Sequence, residues 1–221
     1  MHVPDGILPA QICLGGYVLT GLTAWFSLRK IHHSPDPARG VPKAALLTAA
    51  FFSASLLHIP VPPASVHLVL NGLLGVMLGY YAFLAILVGL FLQAVMFGHG
   101  GLSTLGVNAL IMGIPAFIAY FLFQLRDRIP KRFNPKLTTG VFAFLAGASG
   151  TAISAILFYS LMVLNIPAEL DVTAEQIAVM GLTLTHIPLV ILEGIFTAVL
   201  VLFLEKVKPE LLRSPWSKAS L

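Results

Sequence analysis

A long stretch without charged side chains limits the fold of this chain more than any other feature. From Ala44 to Leu125 the sequence runs for 82 residues with no Asp, Glu, Lys or Arg. Soluble domains carry about 25% charged residues, whereas this chain has 10% charged and 57% hydrophobic residues. Since about 20 apolar residues cross a bilayer, the stretch alone has room for three or four spans. The sequence therefore predicts a polytopic membrane protein and excludes an ordinary water-soluble globule.

Apolar runs between helix-breaking residues predict an all-α bundle of seven transmembrane helices. A single domain is expected over 1–221, with an N-terminal segment (1–9), the bundle (10–204) and a tail (205–221). The predicted helices cover 10–28, 44–59, 65–80, 82–98, 104–125, 137–164 and 176–204. The run over 65–98 offers only about 17 residues per span, close to the lower limit for crossing. One helix in this run is therefore expected to be short or shielded by protein.

The basic residues orient the predicted bundle. All 13 of them fall into three clusters, at 29–43, 126–136 and 206–218. Cytoplasmic loops carry an excess of Lys and Arg, so all three clusters are predicted to be cytoplasmic. Seven spans satisfy this condition, and the N-terminus is then outside and the C-terminus cytoplasmic in a multi-pass plasma-membrane protein. The clusters form no exposed basic domain with interleaved aromatic residues, so no nucleic-acid partner is expected.

Five of the seven histidines are predicted to lie on the outer side of this bundle. The other two belong to the first basic cluster. A single buried histidine is usually a hydrogen-bonded core residue, but polar groups at membrane depth are costly and tend to mark ligand or ion paths. The five outer histidines therefore predict a ligand or ion site; they are His2, His58, His67, His99 and His186.

The first two residues offer a specific chelate. The α-amine of Met1, the amide nitrogen of His2 and the His2 imidazole can wrap one metal ion in fused five- and six-membered rings. A fourth nitrogen would complete a square plane, a geometry that suits Ni(II) or Cu(II). The first residues include Asp5 and lack the basic region of a secretory signal, so Met1 is expected to begin the mature protein.

Three segments carry specific motifs, which read MHVPDGIL at 1–8, VHLVLNG at 66–72 and QAVMFGHGGLSTLGVN at 93–108. They resemble the CbiM/NikM family, the substrate-binding membrane subunits of energy-coupling-factor (ECF) transporters for cobalt and nickel. The resemblance covers essentially the whole chain and implies that Met1, His2 and His67 hold the metal. It also implies an importer with an integral membrane coupling subunit and a pair of cytoplasmic ATPases, and a small accessory membrane subunit is a further candidate partner.

Further residues are expected to complete the pocket around the metal. His58 is predicted to close the second helix near the depth of His67 and is interpreted as a supporting neighbour rather than a ligand. Ser65 either bonds a ligand ring or caps the third predicted helix. The Gly98–Gly101 segment resembles the family's outer loop, which would cover the pocket, although a plain glycine turn is the alternative. The remaining pocket candidates are Asp5, His99 and Asn108.

Ni(II) is the expected transported substrate, with Co(II) as the close alternative and no organic cofactor. A metal channel or secondary transporter would share the outer histidines. Such a protein should also carry polar residues through to the inner side, where predicted helices three to five contain Gly, Leu, Ala and Phe. No Gly-x-x-x-x-Gly-Lys-[Ser/Thr] motif occurs, so ATP hydrolysis is expected on partner subunits and the chain itself is not expected to be an enzyme.

One enzymatic alternative stays open at this point. Ser149, within a Gly-Ala-Ser-Gly segment of the sixth predicted helix, and His186, in the seventh, resemble the Ser–His dyad of a rhomboid-type intramembrane serine protease. Small residues of this kind are also common where membrane helices touch. The Trp-Arg dipeptide that those proteases carry in an outer loop is absent from the sequence.

Overall fold

The computed structural model describes residues 2–61, 64–130, 134–167 and 170–212. Within these residues, eight α-helices and one β-hairpin follow one another along the chain. The helices are α1 Ala10–His32, α2 Val41–Ala54, α3 Asn71–Leu78, α4 Tyr81–Phe97, α5 Leu105–Gln124, α6 Pro135–Leu164, α7 Val172–Leu184 and α8 His186–Val207. Strands β1 His58–Val61 and β2 Ala64–His67 form the hairpin, and 3₁₀ turns cover Leu125–Arg128 and Pro209–Leu212.

Long apolar helices confirm the prediction of an α-helical membrane protein. Four helical segments of the described chain are long and apolar enough to cross a membrane: Ala10–His32, Leu105–Arg128, Pro135–Leu164 and Val172–Val207. Helices α2 and α4 are apolar but shorter, with 14 and 17 residues. The large aliphatic and aromatic side chains of α3, α4 and α5 form the centre of the core.

The third predicted helix, over 65–80, is wrong in length. Residues 64–67 belong to β2, and the helix itself covers only Asn71–Leu78. Eight residues of helix rise about 12 Å, too little to cross a bilayer. A helix cannot run through this region because Leu70 has a left-handed backbone with φ +53°. Every residue of α3 is buried, which confirms that this part of the chain is shielded by protein.

Two other predicted boundaries also change. The second predicted helix, 44–59, ends at Ala54, so His58 lies in β1 rather than at a helix end. The last predicted helix, 176–204, is divided between α7 and α8 at Thr185. Pro188 accounts for this break, because a proline ring clashes with the carbonyl group four residues earlier in a helix.

Hydrogen bonds between distant segments define the two ends of the bundle. At one end, Asp5 accepts a hydrogen bond from the backbone N–H of Ser103, in the loop after α4. At the other end, the Lys43 ammonium group donates to the Leu211 carbonyl oxygen over 3.0 Å, and the Tyr81 hydroxyl donates to the α1–α2 loop. If β2–α3 counts as one pass and α7–α8 as another, the chain runs seven times between these ends.

Helices α1 and α5 touch through glycines, and this contact carries the N-terminal segment to the first end. A Cβ atom on Gly106 would lie 2.6 Å from the backbone nitrogen of Tyr17, and one on Gly16 would lie 2.9 Å from that of Val107. Small residues of this kind let membrane helices approach closely. The Thr20 hydroxyl adds a hydrogen bond of 2.7 Å to the Gly106 carbonyl oxygen. The start of α1 is therefore fixed against the first turn of α5.

The adjacent glycines of α1 provide a matched test of this contact. Gly16 faces α5, whereas a Cβ atom on Gly15 would meet no other atom within 4 Å. We expect Gly16→Ala to lower the thermal unfolding temperature of the detergent-solubilised protein, since overpacking costs about 1–3 kcal/mol. Gly15→Ala should cause no loss. Equal unfolding temperatures for the two variants would contradict the close α1–α5 contact.

Candidate metal centre

Three imidazole rings from distant parts of the chain meet beside the first turn of α5. The ring centroids lie 5.1 Å apart for His2 and His67, 4.4 Å for His2 and His99, and 5.1 Å for His67 and His99. One nitrogen of each ring lies within 4.8 Å of the other two. Imidazole nitrogens are common ligands of nickel, cobalt, copper and zinc. The cluster therefore has the donor atoms and the size of a transition-metal site.

The hydrogen bond of His2 determines which of its ring nitrogens can bind a metal. His2 Nε2 lies 3.0 Å from the Gln93 carboxamide oxygen, which only accepts, so Nε2 carries the hydrogen and Nδ1 the lone pair. His2 Nδ1 is buried and has no hydrogen-bond partner among the described residues. Burial lowers the pKa of His2 well below its ordinary value, and the N-terminal amine and His67 lower it further. The ring is therefore neutral at neutral pH, with a lone pair directed away from Gln93.

The His67 ring has the opposite tautomer to the His2 ring. Its Nδ1 lies 3.0 Å from the Leu68 carbonyl oxygen, which accepts a hydrogen bond and cannot donate one. The hydrogen therefore sits on Nδ1, and the lone pair sits on Nε2. His67 is the last residue of β2, and its side chain is buried at the point where the chain turns into α3.

The end of α4 places His99 beside His2. Helix α4 ends at Gly98, which has the left-handed backbone that glycine adopts without strain. The next residue, His99, donates its backbone N–H to the Gln93 carbonyl oxygen over 3.2 Å, an arrangement typical of helix C-termini. Gln93 thus contacts the cluster twice, through its side chain to His2 and through its backbone to His99.

Asn108 holds the N-terminal segment in place. Its carboxamide oxygen accepts the Val3 backbone N–H over 2.9 Å, and its Nδ2 donates to the Val3 carbonyl oxygen over 3.0 Å. The Thr104 hydroxyl donates to the same carbonyl oxygen over 2.6 Å. Val3 is fully buried. These bonds pair both backbone groups of the residue next to His2, so they fix where the His2 ring can lie.

Asp5 joins the N-terminal segment to the loop after α4. Its carboxylate accepts hydrogen bonds from the Ser103 hydroxyl over 2.5 Å and from the backbone N–H groups of Ser103 and Leu102. The Ser103 hydroxyl is the main reason why the pKa of Asp5 is lowered. A Cβ atom on Gly101 would lie 2.0 Å from the Asp5 carboxylate, so only glycine leaves room for this contact. The Gly98–Gly101 segment therefore lies against the N-terminal segment.

The other residues predicted for the site are distributed as follows. In the antiparallel register of the hairpin, His58 is directly opposite His67, and Ser65 is opposite Pro60. Met1 lies outside the described residues. His186 does not join the cluster of described histidines, and its Nδ1 instead lies 3.0 Å from the Leu182 carbonyl oxygen.

The structure adds Gln93, whose contact with His2 was not predicted from the sequence. Gln93 is completely buried in α4. A lone carboxamide within an apolar helix was the available signal, because polar groups at membrane depth tend to be functional.

The Ser–His dyad of the protease alternative is not formed. The Ser149 hydroxyl donates to the Ala146 carbonyl oxygen over 3.1 Å, within its own helix. The His186 ring is likewise bonded to the preceding helical turn. In the described part of the chain no hydrogen bond joins the two side chains, so neither activates the other.

The match to a family of membrane transport proteins runs through nearly the whole chain. Residues 2–211 match the model of the CbiM family, described as a cobalt uptake substrate-specific transmembrane region. The chain belongs to the CbiM family. The resemblance predicted from the three sequence motifs is thereby confirmed.

Relatives of this CbiM-family chain cover it almost completely. A metal transport protein of Haemophilus influenzae is 35% identical over 96% of this chain and 97% of its own length. The cobalt transport protein CbiM of Sorangium cellulosum is 31% identical, with coverages of 96% and 94%. A fused nickel transport protein NikMN of Archaeoglobus fulgidus is 32% identical over 96% of this chain and 68% of its own.

Solved structures of similar shape are also metal transporters. A crystal structure described as a transition metal transporter has a TM-score of 0.73 and 26% identity, and it covers 94% of this chain and 93% of its own. A truncated transition metal transporter has a TM-score of 0.69 and 25% identity, with coverages of 95% and 99%. The CbiM-family assignment and the fold therefore agree.

Asn108 allows a test of how the N-terminal segment is held. Asn108→Leu keeps a similar size but leaves the buried Val3 N–H unpaired, at a cost of about 1–3 kcal/mol. We expect faster hydrogen exchange in a peptide covering residues 2–8, measured by mass spectrometry. Asn165→Leu is the control, because the Asn165 side chain donates to the Leu161 carbonyl oxygen at the end of α6, away from the N-terminal segment. Unchanged exchange in the Asn108 variant would show that other contacts hold the segment.

Proposed function

We propose that this CbiM-family protein captures a divalent transition-metal ion as the substrate-binding membrane subunit of an ATP-driven importer of the ECF type. Ni(II) is the preferred substrate in this proposal, and Co(II) is the alternative. The names of the relatives support cobalt or nickel transport. The observation that carries the proposal is the cluster of three imidazoles in which His2 Nδ1 and His67 Nε2 bear the lone pairs.

The proposed ligands are four nitrogens: the α-amine of Met1, the backbone amide and Nδ1 of His2, and Nε2 of His67. Nδ1 is the ring nitrogen that closes a six-membered ring with the His2 amide. The structure supports this choice because the hydrogen bond to Gln93 occupies Nε2 instead. His58, Ser65, His99, Asp5 and Asn108 are proposed to support or enclose the site.

A second ligand set is favoured by one specific observation. The nitrogens of His2, His67 and His99 already lie within 4.8 Å of one another without any contribution from the terminal amine. Three imidazoles and one further ligand suit the tetrahedral geometry of Zn(II) better than a square plane. The role of His99 therefore distinguishes the two ligand sets.

We further propose that the metal-site end of the bundle faces outward and that the opposite end faces the cytoplasm. The basic residues of the α1–α2 region and of the 3₁₀ turn after α5 lie at that opposite end, as the positive-inside rule requires. The coupling subunit, the pair of ATPases and any accessory membrane subunit would act on a protein embedded in the plasma membrane.

A movement of helices is required for release in this proposal, because large apolar side chains are packed between the cluster and the other end of the bundle. Leu74, Phe83, Ile86 and Met112 are fully buried on the helices that lead from the cluster to the other end. An ion cannot cross such a region without polar partners. A fixed channel would need polar side chains there, so this packing supports an energy-coupled subunit over a metal channel.

Blocking the terminal amine tests the first ligand set. We expect a Gly-Ser extension at the N-terminus to abolish high-affinity Ni(II) binding while leaving the unfolding temperature unchanged, because the extension removes the amine from the chelate. The same extension at the C-terminus is the control and should have no effect. Binding would be measured by calorimetric titration in detergent. Full affinity in a folded, N-terminally extended protein would exclude the amine as a ligand.

The spectrum of the bound nickel tests the geometry. Four nitrogens in one plane impose a strong field, so Ni(II) should be diamagnetic and yellow, and Zn(II) should compete poorly. His2→Ala and His67→Ala should abolish this signal. His99→Ala should retain it with affinity lower by about 10–100-fold, as is usual for residues beside a ligand. High-spin nickel, or complete loss of binding in the His99 variant, would favour the three-imidazole set.

A further inference from the structure

Glu193 is a buried carboxylate at the centre of α8, and it contacts the loop that follows His67. Its exposed fraction is 0%. Its oxygens accept the backbone N–H groups of Val69 and Leu70, with both oxygens 2.9 Å from the Leu70 nitrogen. No cationic side chain pairs with Glu193 in the part of the chain that the structure describes. The backbone N–H groups of the loop are therefore the hydrogen-bond donors to this carboxyl group.

The loop needs these contacts because it is neither helix nor sheet. Val69 and Leu70 are buried, and the left-handed backbone of Leu70 separates β2 from α3. Buried N–H groups must find acceptors, and two successive N–H groups that converge on one point form an anion-binding concavity. The Glu193 carboxylate occupies that concavity from a helix 123 residues further along the chain.

One peptide unit connects Glu193 to His67. The N–H of Val69 donates to Glu193, and the carbonyl oxygen of the same peptide belongs to Leu68. That carbonyl oxygen accepts the Nδ1 hydrogen of His67 over 3.0 Å. The order of contacts is therefore carboxylate, peptide, imidazole. Hydrogen bonds in such a series polarise and strengthen one another.

We infer that Glu193 is the positioning residue for His67. Its carboxylate fixes the orientation of the Leu68–Val69 peptide, whose carbonyl oxygen then keeps the imidazole hydrogen on Nδ1 and leaves Nε2 with the lone pair. Carboxylates that hydrogen-bond to metal-binding histidines fix the ring tautomer and raise its basicity, and here a peptide unit stands between the two groups. The inference rests on the proposed function for the ligand role of His67, whereas the tautomer can be measured without metal.

The test compares Glu193→Gln with Thr197→Val. Glu193→Gln replaces one acceptor oxygen with an amide donor that faces the Leu70 N–H, at nearly unchanged volume. Thr197 is fully buried one helical turn further along α8 and packs against Gly147, so Thr197→Val alters the same face of α8 without touching the loop. Glu193→Asp keeps the carboxyl group on a shorter side chain and serves as the conservative variant.

Two readouts separate positioning from general stability. The His67 tautomer would be read from its ring ¹⁵N shifts in metal-free, histidine-labelled protein, and affinity would be measured by titration with NiCl₂. We expect Glu193→Gln to increase the Nε2–H form of His67 and to weaken Ni(II) binding by about 10–100-fold. Glu193→Asp should recover part of both effects, and Thr197→Val should leave both unchanged.

Several outcomes would overturn the inference. One is wild-type protein that holds the His67 hydrogen on Nε2. Another is a Glu193→Gln variant with an unchanged tautomer, whether or not its unfolding temperature and affinity fall, since that result would indicate a merely structural role. Failure of the wild-type protein to bind nickel would instead contradict the proposed function, and the tautomer measurement would still decide whether Glu193 positions the ring. If Glu193→Gln does not fold, the Glu193→Asp variant decides by the same two measurements.

Discussion

The metal-site end of this protein depends on one constraint: irregular backbone inside an apolar bundle must be fully hydrogen-bonded. Such backbone is tolerated at membrane depth only where protein groups replace water. Three irregular segments meet at this end, namely residues 2–9, 68–70 and 98–104. Each has backbone groups that hydrogen-bond to a polar side chain from another segment. Asn108 hydrogen-bonds to the backbone of the first segment, Glu193 to that of the second, and Asp5 to that of the third.

The same side chains that satisfy the backbone also place the imidazole rings. The bonds of Asn108 to Val3 determine where His2 emerges, and the peptide held by Glu193 is the one that fixes the His67 ring. Replacing one of these polar side chains would therefore affect both the folding of the segment and the geometry of the ligands. Experiments on this end of the molecule therefore need to measure the tautomer of the imidazole rings as well as metal binding.

Most of the helices were predicted correctly, because they follow from apolar runs and helix-breaking residues that are close together in the sequence. The third helix was wrong because its length depends on distant contacts. A continuous apolar run between Ser65 and Tyr80 fits a helix equally well. The irregular backbone before Asn71 is stabilised by the carboxyl group of Glu193, which lies far along the chain. The left-handed conformation of Leu70 has no sequence signal, because glycine is the residue expected there.

The candidate site was only partly predictable for a related reason. His2 and His67 were identified by chelate chemistry and motif, both of which are visible in sequence. The contact of Gln93 with His2 and the position of His99 beside both His2 and His67 depend on how α4 ends, which is a matter of packing. His186 was grouped with the other outer histidines by depth alone, and its ring is bonded within its own chain segment instead.

The histidines of the cluster are anchored with unequal strength. His67 leads directly into α3, which is held tightly: Asn71 donates hydrogen bonds to the Met112 and Gly150 carbonyl oxygens, on α5 and α6. A Cβ atom on Gly75 would lie 2.0 Å from the backbone oxygen of Ala116. Moving α3 would therefore disturb both α5 and α6.

His2, in contrast, belongs to the N-terminal segment, which is held by the burial of Val3 and Leu8 and by a few side-chain hydrogen bonds. Each typical hydrogen bond contributes about 0.5–1.5 kcal/mol, so lifting this segment costs less than displacing α3. Lifting it breaks the bonds of Asn108 and Thr104 to Val3 and those of Asp5 to the loop after α4. His67 is thus the fixed part of the site and His2 the movable part. We therefore expect any opening of the site to begin at the N-terminal segment.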